Sequence, residues 1–165
     1  MSNKRTTYCW DANVFVGWLG EESTAPLADI QLVLDEIDSG KAVLLVPVTA
    51  YSEILEAKNT PEAMELFRKF LERSNVVVAD TTKAIAEKAG EIRSRGLQAK
   101  VKRNIRTPDA TFMATAIIYR ADAFHTLEKT QLPQLSGTDI VDKLKICAPG
   151  PLSGHRSLLP PASSG

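Results

Sequence analysis

Asp11, Glu53, Asp109 and Glu128 are the residues of this 165-residue chain whose types and placement suit chemistry. Asp11 directly follows an apolar stretch, in Tyr8-Cys9-Trp10-Asp11-Ala12-Asn13-Val14-Phe15. A carboxylate adjoining a buried strand is costly unless it is paired, solvated or metal-bound, although a turn or helix cap is the plain alternative. Glu53 stands about one helical turn beyond a second apolar run, in Thr49-Ala50-Tyr51-Ser52-Glu53-Ile54. With Thr49 as N-cap, the capping-box place falls on Ser52, which leaves Glu53 free to point along the strand ends; Glu56 is its competitor nearby. Asp109, in Arg106-Thr107-Pro108-Asp109-Ala110, lies in the first turn of a predicted helix. The helix dipole favours an acid there by about 0.3–1 kcal/mol, so a purely structural role is the competing reading. Glu128 closes the segment Phe124-His125-Thr126-Leu127-Glu128 and has a solvated loop as its alternative. Asp122 opens the same segment and so belongs to the opposite end of a strand.

Each acid is a weak signal alone, but together they follow a rule: each comes within a turn of a strand's end or opens the helix leading into one. Carboxylates converging on one edge repel each other, and a cation makes the arrangement tolerable. An all-oxygen donor set favours Mg²⁺ or Mn²⁺. Such ions activate water and stabilise charge on a phosphodiester.

The elements that must position these acids alternate along the chain. Thr7–Trp10 reads as a first strand, and Pro26–Ser39 as a helix with Leu27, Ile30, Val33, Leu34 and Ile37 on one face, ended by Gly40. Residues 43–48 form a nearly continuous apolar run, as a strand buried on both faces requires. Helical spacing returns over 49–57. Thr60-Pro61 supplies an N-cap and first-turn proline for a helix with Phe67, Phe70 and Leu71 inward. Val76–Ala79 is a β-branched strand, after which Asp80 caps a helix carrying Ile85, Ala89 and Ile92 and stopped near Gly96. Thr107-Pro108 opens an alanine-rich helix through Ala116. Strands follow at 123–126 and near 144–147. This alternation predicts an α/β fold, a three-layer α/β/α sandwich around a mainly parallel sheet. Ligands of such sheets bind beyond the carboxyl ends of the strands, where the acids fall.

Composition bounds the rest. The length suits one domain with its own core, here residues 1–147, and no internal repeat is present. Residues 148–165 are rich in Pro, Gly and Ser, have no periodicity, and read as a flexible tail in which Leu158 and Leu159 can dock locally. The formal net charge is zero, so any nucleic-acid contact must rest on a local patch. Cys9 and Cys147 sit in apolar runs and read as small buried hydrophobes; neither stands at zinc-ligand spacing from His125 or His155. The polar, basic start of the chain is not followed by a secretory apolar core, and no run approaches the roughly 18 residues of a membrane helix. A cytoplasmic protein with reduced thiols and no membrane contact is expected.

The segment Asp11-Ala12-Asn13-Val14-Phe15, Glu53 in its Thr-x-x-x-Glu context, and Pro108-Asp109-Ala110 on an alanine-rich helix resemble the PIN-domain nucleases, and by size and spacing the VapC-type toxins among them. The resemblance covers roughly residues 6–147. It implies a Mg²⁺- or Mn²⁺-dependent endoribonuclease that hydrolyses RNA with a metal-activated water, and the toxin component of a type II toxin–antitoxin module. By the same resemblance Asp11, Glu53 and Asp109 hold the metal, and Asn13 orients the first acid or a water. Glu128 stands where the family often places a fourth Asp after the fourth strand; its extra methylene changes the reach. A cognate antitoxin and a homodimer are the implied protein partners.

Lys100, Lys102, Arg103 and Arg106 lie just upstream of Asp109. Phosphate backbones favour such a patch, so these residues are the candidate RNA contacts, with a solvated loop as the alternative. Arg93 and Arg95 extend the patch or complement the preceding helix's dipole. Trp10 reads as core, Trp18 as core or a dimer surface, Tyr51 as packing ahead of base stacking, and His125 as a hydrogen-bonded strand residue. Two rival readings remain open: a PIN-like module that binds RNA or protein without turnover, and a phosphatase with Asp11 as nucleophile. The phosphatase reading meets Asn13 where a second Asp is usual.

Overall fold

Five short β-branched or apolar runs become parallel strands because the chain recrosses the sheet between them, through a pair of helices after each of the first three strands and through two 3-10 turns after the fourth. The computed structural model describes residues 4–152. The strands are β1 (Thr6–Trp10), β2 (Ala42–Pro47), β3 (Val76–Ala79), β4 (Ala123–His125) and β5 (Ile146–Cys147). They form one sheet in the order β3-β2-β1-β4-β5, and every neighbouring pair is parallel. The register sets Tyr8 beside both Leu44 and Ala123, and Trp10 beside His125. The strand order reverses at β1, so a crevice opens between the carboxyl ends of β1 and β4.

The helices are α1 (Ala12–Leu19), α2 (Leu27–Asp38), α3 (Val48–Glu56), α4 (Pro61–Leu71), α5 (Lys83–Gln98) and α6 (Thr107–Ile118). They cover both faces of the sheet, giving the expected α/β/α sandwich. Alternation along the strands divides the core in two. Tyr8, Trp10, Leu44 and Val46 face a layer that includes Phe15, Ile30 and Phe67. Cys9, Leu45 and Phe124 face a layer that includes Ile85, Ile92, Phe112 and Met113. Burial on both faces explains why these strands read as continuous apolar runs.

Several local expectations need correction. Residues 12–19 form a helix that the sequence reading did not assign. The N-cap of α5 is Thr82, whose side chain accepts from the Ile85 N–H, and not Asp80. The helix α3 starts at Val48, so its N-cap position falls on Pro47, two residues before Thr49. The helix α5 also runs through Gly96 to Gln98. Gly96 is needed there because a Cβ would meet the Arg103 carbonyl oxygen at 2.8 Å. Thr60 caps α4 as expected, accepting from the Ala63 N–H at 3.1 Å. Asp122 does sit at the opposite end of the sheet, where it accepts from the Thr7 N–H at 2.8 Å.

Cys9 is buried, Cys147 is half-buried, and both are free thiols. The first tail residues pack on the domain: Pro149 is buried, and the Leu152 N–H donates to the Tyr8 hydroxyl at 3.0 Å. The rest of the expected tail, including His155, Leu158 and Leu159, lies outside the described residues. Among the described residues, no helix is long and apolar enough to cross a membrane.

Candidate active site

Asp11 is the first residue past β1 and occupies the N-cap position of α1, yet its side chain makes no capping hydrogen bond. It instead accepts a hydrogen bond at 2.9 Å from the hydroxyl of Thr126, the first residue past β4. The two side chains meet across the crevice where the strand order reverses. Both are buried, Asp11 at 5% exposure and Thr126 at 1%. The Thr126 hydroxyl also accepts from Asn13 Nδ2 at 3.2 Å and from the Glu128 N–H at 3.1 Å. Asn13 Oδ1 in turn accepts from the Leu127 N–H at 3.1 Å. Asn13 therefore fastens the start of α1 to the chain leaving β4, and Thr126 is the hub. In the sequence Thr126 stands only as context for Glu128; its place directly after a buried strand is the signal that marks it.

Glu53 reaches the site from the second turn of α3 and Asp109 from the first turn of α6; both are half-buried. Their electrostatics show that they share a neighbourhood with Asp11. Burial pushes the Asp11 carboxyl up to about 6; the Thr126 hydroxyl pulls it back, and the charges of Asp109 and Glu53 raise it again. Glu53 is raised by burial and by Asp109, and Asp109 by burial and by Glu128. Arg106 opposes the shift at both Glu53 and Asp109, so its charge reaches the acids as well as belonging to the basic stretch. Glu56 is exposed and only a minor contributor at Glu53.

Glu128 has a different set of partners. One carboxylate oxygen accepts from the Thr130 hydroxyl at 2.8 Å, the Gln131 N–H at 2.6 Å and, more distantly, the Thr130 N–H. The other accepts from the Leu132 N–H at 2.6 Å. These donors more than offset partial burial and hold the carboxyl below its ordinary range. The side chain caps the loop that enters the 3-10 turn Leu132–Leu135.

Lys102, Arg103, Arg106 and Asp109 line one cleft, of about 170 Å³, which joins part of the basic stretch to the acids. Lys100 does not line this cleft. Arg103 donates to the Gln134 side chain. His125 is fully buried in β4 with Nδ1 accepting from Trp10 Nε1 at 3.1 Å, as its reading as a hydrogen-bonded strand residue expects. Burial pushes its pKa down to about 4, so the ring is neutral near pH 7.

Whether a divalent ion suits this site turns on chemistry and distance. The donors are oxygens, and neighbouring negative charge raises each carboxyl's proton affinity, from Asp109 and Glu53 at Asp11, from Asp109 at Glu53 and from Glu128 at Asp109, which is the setting a hard cation relieves. Among the described residues, however, no three His, Cys, Asp or Glu side chains stand close enough to enclose an ion as placed. By its chemistry the donor set fits a divalent ion.

A parallel α/β sandwich with Asp11 at its switch point and the charges of Glu53 and Asp109 within electrostatic reach defines the class. The chain matches the PIN domain family model over residues 8–133, and it belongs to that family of nucleases, whose members generally use divalent metal ions. Two solved structures share the fold. The VapBC2 complex of Rickettsia felis, bound to a DNA fragment from its promoter, is 14% identical with a TM-score of 0.60, covering 86% of this chain and 97% of that one. A toxin–antitoxin complex from Klebsiella pneumoniae is 15% identical with a TM-score of 0.54 and the same coverage. No curated protein matches the sequence.

Proposed function

We propose that this protein is a metal-dependent endoribonuclease, and the toxin component of a type II toxin–antitoxin module. The observation that carries the enzymatic part is that Asp11, buried at the crevice between β1 and β4, feels the charges of Asp109 and Glu53 from two other elements. Membership of the PIN family supports nuclease chemistry, and the fold shared with two toxin–antitoxin complexes supports an antitoxin partner. RNA as substrate, Mg²⁺ or Mn²⁺ as the ion, and a homodimer complete the reading.

In this mechanism Asp11, Glu53 and Asp109 are the ligands. A divalent ion held there would supply activation of the attacking water and a counter-charge for the phosphodiester. Asp11 must be ionised to bind, and the Thr126 hydroxyl favours that form by donating to it. Asn13 keeps Thr126 and the start of α1 in register. Arg106 attracts the scissile phosphate to the acid cluster, which would otherwise repel it, while Lys100, Lys102 and Arg103 hold the flanking backbone. Glu128 serves the site through the loop it caps; its carboxylate is already taken by four donors.

The test is incubation of purified protein with single-stranded RNA and Mg²⁺ or Mn²⁺, with Asp11→Asn as the control. Metal-dependent internal cleavage absent from the variant supports the reading. The open spacing of the acids favours one rival, a PIN-like module that binds without turnover. RNA binding without cleavage under any divalent ion would establish that rival. Co-purification with a co-expressed small neighbouring protein tests the toxin role separately.

A further inference from the structure

We infer that the cleft beside Asp109 is a nucleobase pocket, which receives one unpaired base of the RNA adjacent to the scissile phosphate. The inference rests on the nuclease reading above and adds a specificity site to it. The cleft lies between the segment 102–106, which joins α5 to α6, and the 3-10 turn Leu132–Leu135. Its floor is apolar: Ile105, Leu132 and Leu135 are at most 7% exposed. Its rim is polar, with the exposed side chains of Lys102, Asn104 and Gln131. An apolar floor under amides and cations suits a flat aromatic ring with hydrogen-bonding edges, the form in which unpaired bases are read.

Size narrows the ligand. Pockets that engulf drug-sized molecules run to about 300–1,000 Å³, and this cleft of about 170 Å³ has room for one ring system, with the sugar and phosphate left outside. Asp109 forms part of the lining, so a base seated here leaves its own phosphate next to the acids.

Both walls are fixed in advance. On one side, the Arg103 N–H donates to the Gly96 carbonyl at 2.8 Å, and Arg93 Nε donates to the Ile105 carbonyl at 3.0 Å. On the other, Glu128 holds the Gln131 and Leu132 backbone by two hydrogen bonds of 2.6 Å. Arg103 bridges the walls through the Gln134 side chain. A pre-formed pocket loses little on binding, which is how a small contact gains selectivity. The amide groups of Asn104 and Gln131 each offer a donor and an acceptor to the base edge.

Binding tests this without requiring turnover. The Asp11→Asn protein in EDTA is titrated with a short fluorescent single-stranded RNA and with copies carrying one abasic ribose at successive positions. The expected result is a five-fold or greater loss of affinity for an abasic site at one position. That loss should shrink to less than two-fold when Asn104→Ala and Gln131→Ala are added. Equal affinity for every abasic copy overturns the pocket while leaving nuclease activity to stand on the cleavage assay. A position-specific loss that persists in the triple variant also overturns it, because the base is then read elsewhere. Failure to bind any RNA likewise overturns the pocket, and the nuclease reading is then judged by the cleavage assay alone.

Discussion

The Thr126 hydroxyl donates to Asp11 Oδ2 at 2.9 Å, and that one bond joins the ends of two adjacent parallel strands at the point where the sheet's order reverses. It is also the strongest influence opposing the burial that pushes the Asp11 carboxyl up. Thr126→Val keeps the shape and removes the hydroxyl. The Asn13 amide and the Glu128 N–H then lose their acceptor as well, so a loss of about 1–3 kcal/mol is expected. The Asp11 carboxyl should titrate higher still. Thr126→Ser should restore both properties. Urea unfolding and a carboxyl-resolved NMR titration measure them.

A second prediction concerns pH. The Asp11 carboxyl titrates near 6 in the folded protein, against 3.8 in the unfolded chain. Between those values the folded state holds the extra proton, so this group's contribution to stability falls as pH rises through the window and stays low above it. Two pH units correspond to on the order of 3 kcal/mol. In EDTA, Asp11→Asn should therefore be more stable than the unsubstituted protein at pH 7 and lose that advantage near pH 4. Mg²⁺ should raise the melting temperature of the unsubstituted protein far more than that of the variant. Thermal melts across pH, with and without Mg²⁺, check both parts; a variant less stable at pH 7 would contradict the burial argument.

Much of this architecture is legible in the sequence, and the failures have physical causes. The central strands are continuous apolar runs because both faces are buried, and β2 shows this plainly, while the edge strand β3 leaves Val77 and Val78 exposed. The helix α1 was missed because Ala-Asn-Val-Phe-Val-Gly-Trp-Leu is packed on most of its sides and has no polar stripe to give a helical period. Gly96 looked like a terminator, yet it is a point of close backbone approach within α5, and that requirement comes from residue 103, on the next segment. Asp11 directly follows β1, Glu53 lies in the second turn of the helix after β2, and Asp109 opens the helix leading into β4, an order that the alternation of elements makes legible. What Glu128 does could not be read that way: the direction of its carboxylate depends on the turn of the 130–132 backbone, a tertiary detail with no periodic signature. Thr126 was hidden for the same reason, since a hydroxyl's role lies in its partners.

Glu128 supplies the next test. Its carboxyl is held low by the loop's donors, so the stability it confers is present above its unfolded pKa and is lost as pH falls through the lower folded value. Glu128→Gln leaves one oxygen acceptor for four donors. Amide exchange at Gln131 and Leu132 should quicken by at least ten-fold, with Mg²⁺ affinity changed less than three-fold. A large fall in Mg²⁺ affinity with unchanged exchange would instead make Glu128 a metal ligand.

Gly96→Ala tests the close approach behind the cleft. The added methyl would meet the Arg103 carbonyl at 2.8 Å and Ile105 Cδ1 at 3.0 Å, and a backbone atom cannot swing aside as a side-chain tip can. Overpacking of this kind costs about 1–3 kcal/mol. Chemical denaturation should show that loss, while Gly90→Ala, which meets nothing within 4 Å, should be neutral or stabilising.

Arg106 gives a prediction with two opposite signs. Its charge lies close enough to Glu53 and Asp109 to oppose their upward shifts, so it competes electrostatically with any cation bound there. The same charge favours an RNA phosphate. Arg106→Gln should therefore tighten Mg²⁺ binding at pH 8, where the acids are ionised, by about two- to five-fold on the Coulomb energy of an exposed neighbouring charge. It should weaken RNA binding and make the slope of log affinity against log salt shallower by about 0.7, the loss of one single-strand phosphate contact. Isothermal titration with Mg²⁺ and anisotropy at several salt concentrations read the two effects separately. A general loss of structure would weaken both, so only the opposed pair of changes assigns Arg106 to the phosphate beside the acids.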